Sequence, residues 1–348
     1  MKKELLMGTA LVSTLGAASV AEAVTASYSG NHQTGIEFES PTGGTDTNSQ
    51  TNDNNFTVSL SETTDGGMTI SSSFKVMDEN SKYDADAGFT LAFTDGSKLD
   101  LLNAGSASST HAVSVPSSAG VEGITVTTTN LAPTGLDFMN AATVQGLEYH
   151  TAADFITDGL KASFSISTDN GAAATSTYKT DSHVAIGATY VTDLGDSTVT
   201  IGGGYHASEG STTGNQPSSG DNGGSHFGIS AVTGDLTVAV GFADGDTTGG
   251  DAADEEVAAE VVKAGVKYVT GDLTFNVGFA SGTAQDNTMG SAGSTDDAKD
   301  VTSASVSYVV ASGVTAILGY TDTDSQDEGA NDTDSDGSAW YIGANMSF

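Results

Sequence analysis

The sequence predicts an all-β protein: a transmembrane up-and-down antiparallel β-barrel of about 16 strands. Three observations lead there. Apolar side chains recur with a period of two, as in Phe56, Val58 and Leu60 or in Leu273, Phe275, Val277 and Phe279. The alternating segments are joined by tight Asp/Gly turns in a repeating unit of about 40 residues. Thus Val232-Thr-Gly-Asp-Leu236 returns 37 positions later as Val269-Thr-Gly-Asp-Leu273. Short connections also alternate with long polar ones, the asymmetry of a barrel whose hairpins turn tightly at one end and open into loops at the other.

The chain begins with a separable segment. Lys2 and Lys3 precede an apolar and small-residue stretch over residues 5–20, and Ala21-Glu22-Ala23 has the small-x-small form of a secretory cleavage site. Residues 1–23 are therefore expected to be a signal peptide cleaved after Ala23, leaving 24–348 as a single barrel domain. Gly8, Ser13, Thr14, Gly16 and Ser19 dilute the apolar run and disfavour a retained anchor. No later stretch reaches the roughly 18 to 20 consecutive apolar residues of a spanning helix.

Sixteen strands are expected in the remainder. They lie near residues 25–39, 51–62, 67–77, 84–94, 97–103, 144–151, 158–168, 181–192, 197–208, 225–233, 235–244, 259–270, 272–281, 299–310, 313–322 and 337–348. Turns such as Thr64-Asp-Gly-Gly67 and Thr94-Asp-Gly-Ser97 stand at one end, and polar loops near 40–50, 208–224, 245–258, 282–298 and 323–336 at the other. Each strand with its connection has roughly 20 residues, enough for the 9 to 11 that a tilted strand needs to cross lipid. Only a closed sheet can do so, because a free edge would leave backbone groups unpaired in hydrocarbon.

At this strand number the interior is too wide for side chains to fill, so its lining should be polar. The inward set under this register is Thr69, Ser71, Ser73 and Lys75; Lys161, Ser163, Ser165 and Ser167; Lys263, Gly265 and Lys267; and Ser303, Ser305 and Ser307. Outward aromatics fall at strand ends. Phe93, Tyr190, Tyr268 and Tyr308 stand towards the tight turns, with Phe74, Tyr205, Phe242, Phe279 and Tyr320 towards the loops. Two such rings match the interfacial girdles of a membrane barrel.

Composition excludes other classes. There are 45 acidic and 10 basic residues, a formal charge of −35, and every basic residue is a lysine. Such a surface repels phosphate, so no nucleic acid is expected as a partner. The absence of cysteine removes disulfide scaffolds and zinc–thiolate sites. Histidines 32, 111, 150, 183, 206 and 226 look scattered, with no Ser/His/Asp set and no His-x-x-x-His spacing. No catalytic residues, and no enzyme, are expected.

The last strand, Trp340-x-Ile342-x-Ala344-x-Met346-x-Phe348, alternates to a terminal phenylalanine. It resembles the C-terminal signal by which the barrel assembly machinery recognises outer-membrane barrels, with Phe348, Met346 and Trp340 as its expected residues. Further stretches carry a wider likeness: Thr63-Thr-Asp-Gly-Gly67 leading into Met68-Thr-Ile-Ser-Ser-Ser-Phe-Lys75, the hairpin Gly88-Phe-Thr-Leu-Ala-Phe-Thr-Asp-Gly-Ser-Lys98, and Tyr341-Ile-Gly-Ala344. The chain resembles the general diffusion porins of Gram-negative bacteria, particularly the alphaproteobacterial type. The resemblance implies a homotrimer of sixteen-stranded barrels in the cell outer membrane, in contact with lipid and lipopolysaccharide. Each barrel would be a water-filled channel passing small hydrophilic solutes and ions by passive diffusion.

It also implies that the loop after the fifth strand folds inward and constricts the pore. That loop is residues 104–143, the longest connection and a moderately apolar one, with Glu122 and Asp137 as its acids. Residues 123–129 read alternatively as an extra strand. The family sets loop carboxylates against a basic cluster on the wall. Lacking arginine, this chain departs from that pattern, and the expected constriction is Glu122 and Asp137 facing Lys75, Lys98 and Lys161. Lysines simply solvated in the lumen are an equal reading.

The acid concentrates in the long loops, at Asp322, Asp324, Asp327, Glu328, Asp332, Asp334 and Asp336, and at Asp244, Asp246, Asp251, Asp254, Glu255 and Glu256. Over a pore mouth such charge enriches cations within a Debye length of ~8 Å, so cation selectivity is expected. Asp332-Thr-Asp-Ser-Asp-Gly337 matches the front half of an EF-hand loop, but the twelfth position is Gly343 and no flanking helices are expected. Asp332, Asp334 and Asp336 form either a solvated acidic loop or a weak calcium site, and no cofactor is required. The rival reading is a secreted calcium-binding β-rich adhesin or surface-layer protein. It would have no need of Phe348, of two girdles or of alternating connection lengths.

Overall fold

The structure, a computed structural model, describes residues 24–42, 44–77, 88–102, 106–119, 146–168, 180–210, 222–248, 256–286, 295–326 and 336–348. Sixteen antiparallel strands close on themselves as a barrel. They are β1 (Thr25–Pro41), β2 (Thr47–Thr63), β3 (Thr69–Met77), β4 (Phe89–Ala92), β5 (Lys98–Leu101), β6 (Gly146–His150), β7 (Leu160–Thr168) and β8 (Thr180–Leu194) in the first half. The second half holds β9 (Ser197–Gly210), β10 (Asn222–Thr233), β11 (Leu236–Thr248), β12 (Glu256–Thr270), β13 (Leu273–Asp286), β14 (Thr295–Ala311), β15 (Val314–Gln326) and β16 (Gly337–Ser347). Each strand pairs with its sequence neighbours, and β1 meets β16 from Asn31↔Ser347 to Pro41↔Gly337.

Each expected segment holds a strand within its described residues; β3 to β7 stop one or two residues short of the expected limits at the turn ends, and other strands run on at the loop ends. β11, β13 and β15 run several residues past the expected limits, through stretches such as Asp244-Gly-Asp246 and Asp322-Thr-Asp324. These carry no apolar face, so alternation cannot reveal them. The ladder nevertheless continues, as in Asp244↔Ser225 and Asp322↔Ser338, because strands that rise above lipid need hydrogen bonds and not grease. At the opposite end β8–β9, β10–β11, β12–β13 and β14–β15 are joined by two-residue turns, and β2–β3, β4–β5 and β6–β7 by longer ones. Gly234 and Gly271 have φ of +56° and +57°, and a Cβ on either would meet nothing within 4 Å. The left-handed backbone, not space, calls for glycine there.

The two faces divide as a lipid barrel requires. Ile186, Tyr205, Val240, Tyr268, Val277, Phe279 and Ile342 are exposed on the outside, while Ser163, Ser165, Ser167, Ser303 and Ser305 face inward. Apolar clusters inside the described residues are small: Ile317 with Tyr341 and Ala119, and Val261 with Ala280 and Val301. Among the described residues there is no central apolar core. Among the described residues no helix is long and apolar enough to cross a membrane.

The chain terminus seals the seam between first and last strands. The Phe348 amide donates to the Gly30 carbonyl at 3.1 Å and the Gly30 amide donates back at 3.2 Å. The Phe348 ring stacks on Phe56 at 6.4 Å, and Phe56 on Tyr28 at 6.0 Å. Trp340 and Met346 are exposed on the same outer face, with Trp340 against Tyr320 at 4.6 Å. Deleting Phe348 removes two ladder bonds and the stack at the one joint that no hairpin holds. The yield of folded barrel, read as the heat-modifiable band on a gel, is expected to fall sharply, and Phe348→Trp to restore most of it.

Candidate functional site

Residues 106–119 leave β5 and run as a strap along the inner wall. Ser106 opens a single helical turn, Ala107–Thr110, and the chain then continues extended to residue 119. Its polar contacts step round the barrel. The Ala107 amide donates to Ser165 Oγ on β7 at 3.0 Å, and His226 Nε2 on β10 lies 2.7 Å from the Ser108 carbonyl oxygen. On β14, Ser303 Oγ and Ser305 Oγ accept the amides of Ser118 at 3.2 Å and Ala119 at 2.7 Å. The Tyr341 hydroxyl on β16 donates to the Ala119 carbonyl. A polar wall thus satisfies the backbone of a segment that forms no sheet of its own.

The wall is cut away where the strap rests. A Cβ built on Gly187 would lie 2.3 Å from Ala107 O, and one on Gly204 2.6 Å from Ser108 Cα. On Gly228 it would lie 2.7 Å from Val113 Cβ, and on Gly265 1.9 Å from Pro116 O. These glycines sit on β8, β9, β10 and β12; Gly187, Gly204 and Gly265 let two backbones approach closely, and Gly228 makes room for the Val113 side chain. On the turn side of the strap a cavity of about 460 Å³ remains, bordered by Val113, Pro116, Thr189, Thr200, Lys267 and Asn276.

Histidines gather where the strap begins, which overturns their scattered appearance in the sequence. His111 on the strap bridges Thr189 Oγ1 at 2.7 Å through Nδ1 and Ser163 Oγ at 2.8 Å through Nε2. His183 contacts Ser208 Oγ at 2.8 Å and Ser106 Oγ at 3.4 Å, and its ring lies 6.0 Å from that of His206. His150 on β6 shares the Ser163 hydroxyl at 2.9 Å. Only His32 stands apart, paired with Asn54. Strands β6, β8, β9 and β10 and an inward loop supply the others, from positions as far apart as 111 and 226, so no spacing rule could have grouped them.

His111 is 5% exposed. Burial, then the neighbouring His150, His226 and Lys161, push it from an ordinary 6.5 down to about 4. Unfolded or undocked, the ring takes a proton below pH 6.5 that the docked ring resists until about 4. Docking is therefore strongest above pH 6.5 and weakens as pH falls through that window, by about 3 kcal/mol in all.

The sequence-expected constriction is partly placed. Lys75, Lys98 and Lys161 lie on β3, β5 and β7, on one side of the lumen and exposed to it. Glu122 and Asp137 lie outside the described residues, as do residues 123–129 and the loop positions Asp332 and Asp334; Asp336 is exposed just before β16. The carboxylates described beside Lys98 are on the wall itself. Asp100 faces Glu148 across β5 and β6, and Lys98 faces His150. His150 Nε2 is 2.8 Å from Asp100 Oδ2, and the Thr110 hydroxyl of the strap donates to Glu148 Oε1 at 2.7 Å. The alternations Lys98-x-Asp100 and Glu148-x-His150 are the sequence signal for these wall groups, and neither lies on the loop.

A closed barrel with an apolar outer face, a polar wide lumen and an internal strap is a membrane channel. Residues 8–328 match the Gram-negative porin family, and the chain belongs to it. Solved structures agree in fold. An anion-selective porin from Comamonas acidovorans shares 11% identity over 93% of this chain and 100% of its own, with a TM-score of 0.64. OmpT of Vibrio cholerae, in its trimer form, shares 15% over 94% and 100%, at 0.62. A Rhodopseudomonas blastica porin triple mutant shares 14% over 93% and 100%, at 0.60. No curated protein sequence matches. The protein is an outer-membrane diffusion channel, and neither family nor fold is that of an enzyme.

Two outcomes follow from the strap's seating. Gly265→Val should push it off β12 into the lumen and lower single-channel conductance and the size of neutral sugar admitted, while Gly234→Ala, at a turn, should leave both unchanged. Acidification from pH 7 to 4 should raise current noise from strap excursions, and His111→Asn, which keeps a hydrogen-bonding side chain without the titration, should flatten that dependence.

Proposed function

We propose that this porin is a cation-selective homotrimer through which small hydrophilic solutes diffuse passively, made from residues 24–348 after removal of a leader ending at Ala23. The observation that carries selectivity is the charge balance, 45 acidic residues against 10 lysines, with no arginine. The described loop ends of the strands bear Asp244, Asp246, Asp322 and Asp324 on the same side of the barrel. Fixed negative charge at a mouth concentrates cations and excludes anions within a Debye length. The barrel by itself does not set the sign, as the anion-selective Comamonas structure has the same fold. Lysines 98 and 161 inside the lumen oppose the effect locally, so the mouth must outweigh them.

Trimerisation is supported by the family and by the V. cholerae structure described as a trimer form. One bilayer experiment reads both properties. Under a potassium chloride gradient the reversal potential should take the cation sign and shrink as salt rises, and voltage should close the channel in three equal steps. An anion-signed potential would remove the selectivity assignment, and single-step closure the trimer.

A further inference from the structure

We propose that Asp100, Glu148 and His150 form a binding site for a divalent transition-metal cation of the zinc class, set in the lumen wall beside the foot of the strap. One donor atom from each residue lies within 4.8 Å of the other two. Asp100 and Glu148 stand at directly paired positions of β5 and β6, and His150 is the next inward residue along β6. The ladder therefore fixes all three Cα atoms before any ion arrives.

Directly opposed carboxylates are an unfavourable cross-strand pair, and here one of them is deeply buried. Glu148 is 2% exposed; its hydrogen bond is to the Thr110 hydroxyl, and His150 Nδ1 is 3.7 Å away. Two carboxylates thus face one imidazole, with the Lys98 ammonium as a further positive charge near Asp100. A divalent cation would balance the carboxylates and need only displace the proton between His150 Nε2 and Asp100 Oδ2, now 2.8 Å apart. Ligand atoms ~2.1 Å from one zinc-sized ion stand about 3 to 3.5 Å from each other, so a small contraction closes the set.

The donors choose the ion. One imidazole nitrogen with two carboxylates suits zinc, nickel or cobalt, whereas calcium and magnesium take oxygen. Each ligand has an outer partner: Ser163 Oγ at 2.9 Å from His150 Nδ1, the Thr90 hydroxyl on Asp100, and the Thr110 hydroxyl at 2.7 Å from Glu148. Asp100 and His150 keep 18% and 17% side-chain exposure, so an ion enters from the lumen and retains water on its open positions. Occupancy would couple β5, β6 and, through Thr110, the strap.

The test uses the untagged, folded, full-length protein in detergent, stripped with chelator and titrated with zinc or cobalt chloride. One saturable site per chain is expected by calorimetry, with a visible cobalt absorption band, undisturbed by millimolar calcium. His150→Ala should abolish both signals and Glu148→Gln weaken binding about tenfold or more. His183→Ala, which disrupts the other imidazole pair, should leave them intact. Heat-modifiable migration confirms that each variant is folded. No saturable uptake by the wild type, wild-type binding by folded His150→Ala, or loss of binding in His183→Ala would each overturn the site.

Discussion

Backbone hydrogen bonding in a medium without water is the constraint on which this molecule rests. Every amide and carbonyl inside the hydrocarbon needs a partner, and a sheet meets that demand only by closing on itself. Closure requires the pairing of β1 with β16, and the backbone carbonyl of Phe348 serves there as a last ladder acceptor. Once the ladder carries the fold, the side chains are freed from building a core. The outer face has to be apolar enough for lipid, and the inner face may be almost anything soluble.

That freedom is spent on the strap. The inner wall offers serines where strap amides need acceptors, glycines where backbones must touch, and a tyrosine where the last described strap carbonyl needs a donor. Histidines at the strap's foot are held by hydroxyls of Ser163, Thr189 and Ser208, so polar groups withdrawn from water keep partners. An acidic chain with few large apolar residues can thus hold a segment against a wall without an apolar seam.

The barrel was legible in the sequence because period-two alternation and Asp/Gly turns are local, and sixteen repetitions of a local signal leave little freedom. Where alternation stops, as at Asp244-Gly-Asp246, the strand could not be read although the ladder goes on. The inner wall was half legible: parity put Ser163, Ser165, Ser303 and Lys267 in the lumen. It could not show that Gly187, Gly204 and Gly265 form one bed, since that depends on which strands the loop crosses. The grouping of His111, His150, His183, His206 and His226 was hidden for the same reason, as was the meeting of Asp100 with Glu148. Contacts between a loop and a distant wall have no period.

The glycine bed has a consequence for how such a channel can vary. Because the strap meets the wall main chain to main chain at Gly187, Gly204 and Gly265, its standoff there is set by covalent geometry and not by the rotamers of intervening side chains. The strap's free edge can then exchange residues, altering the polarity of the passage while its bore stays constant. Bore and chemistry become separately adjustable, and a lineage could retune what it admits without rebuilding the tube.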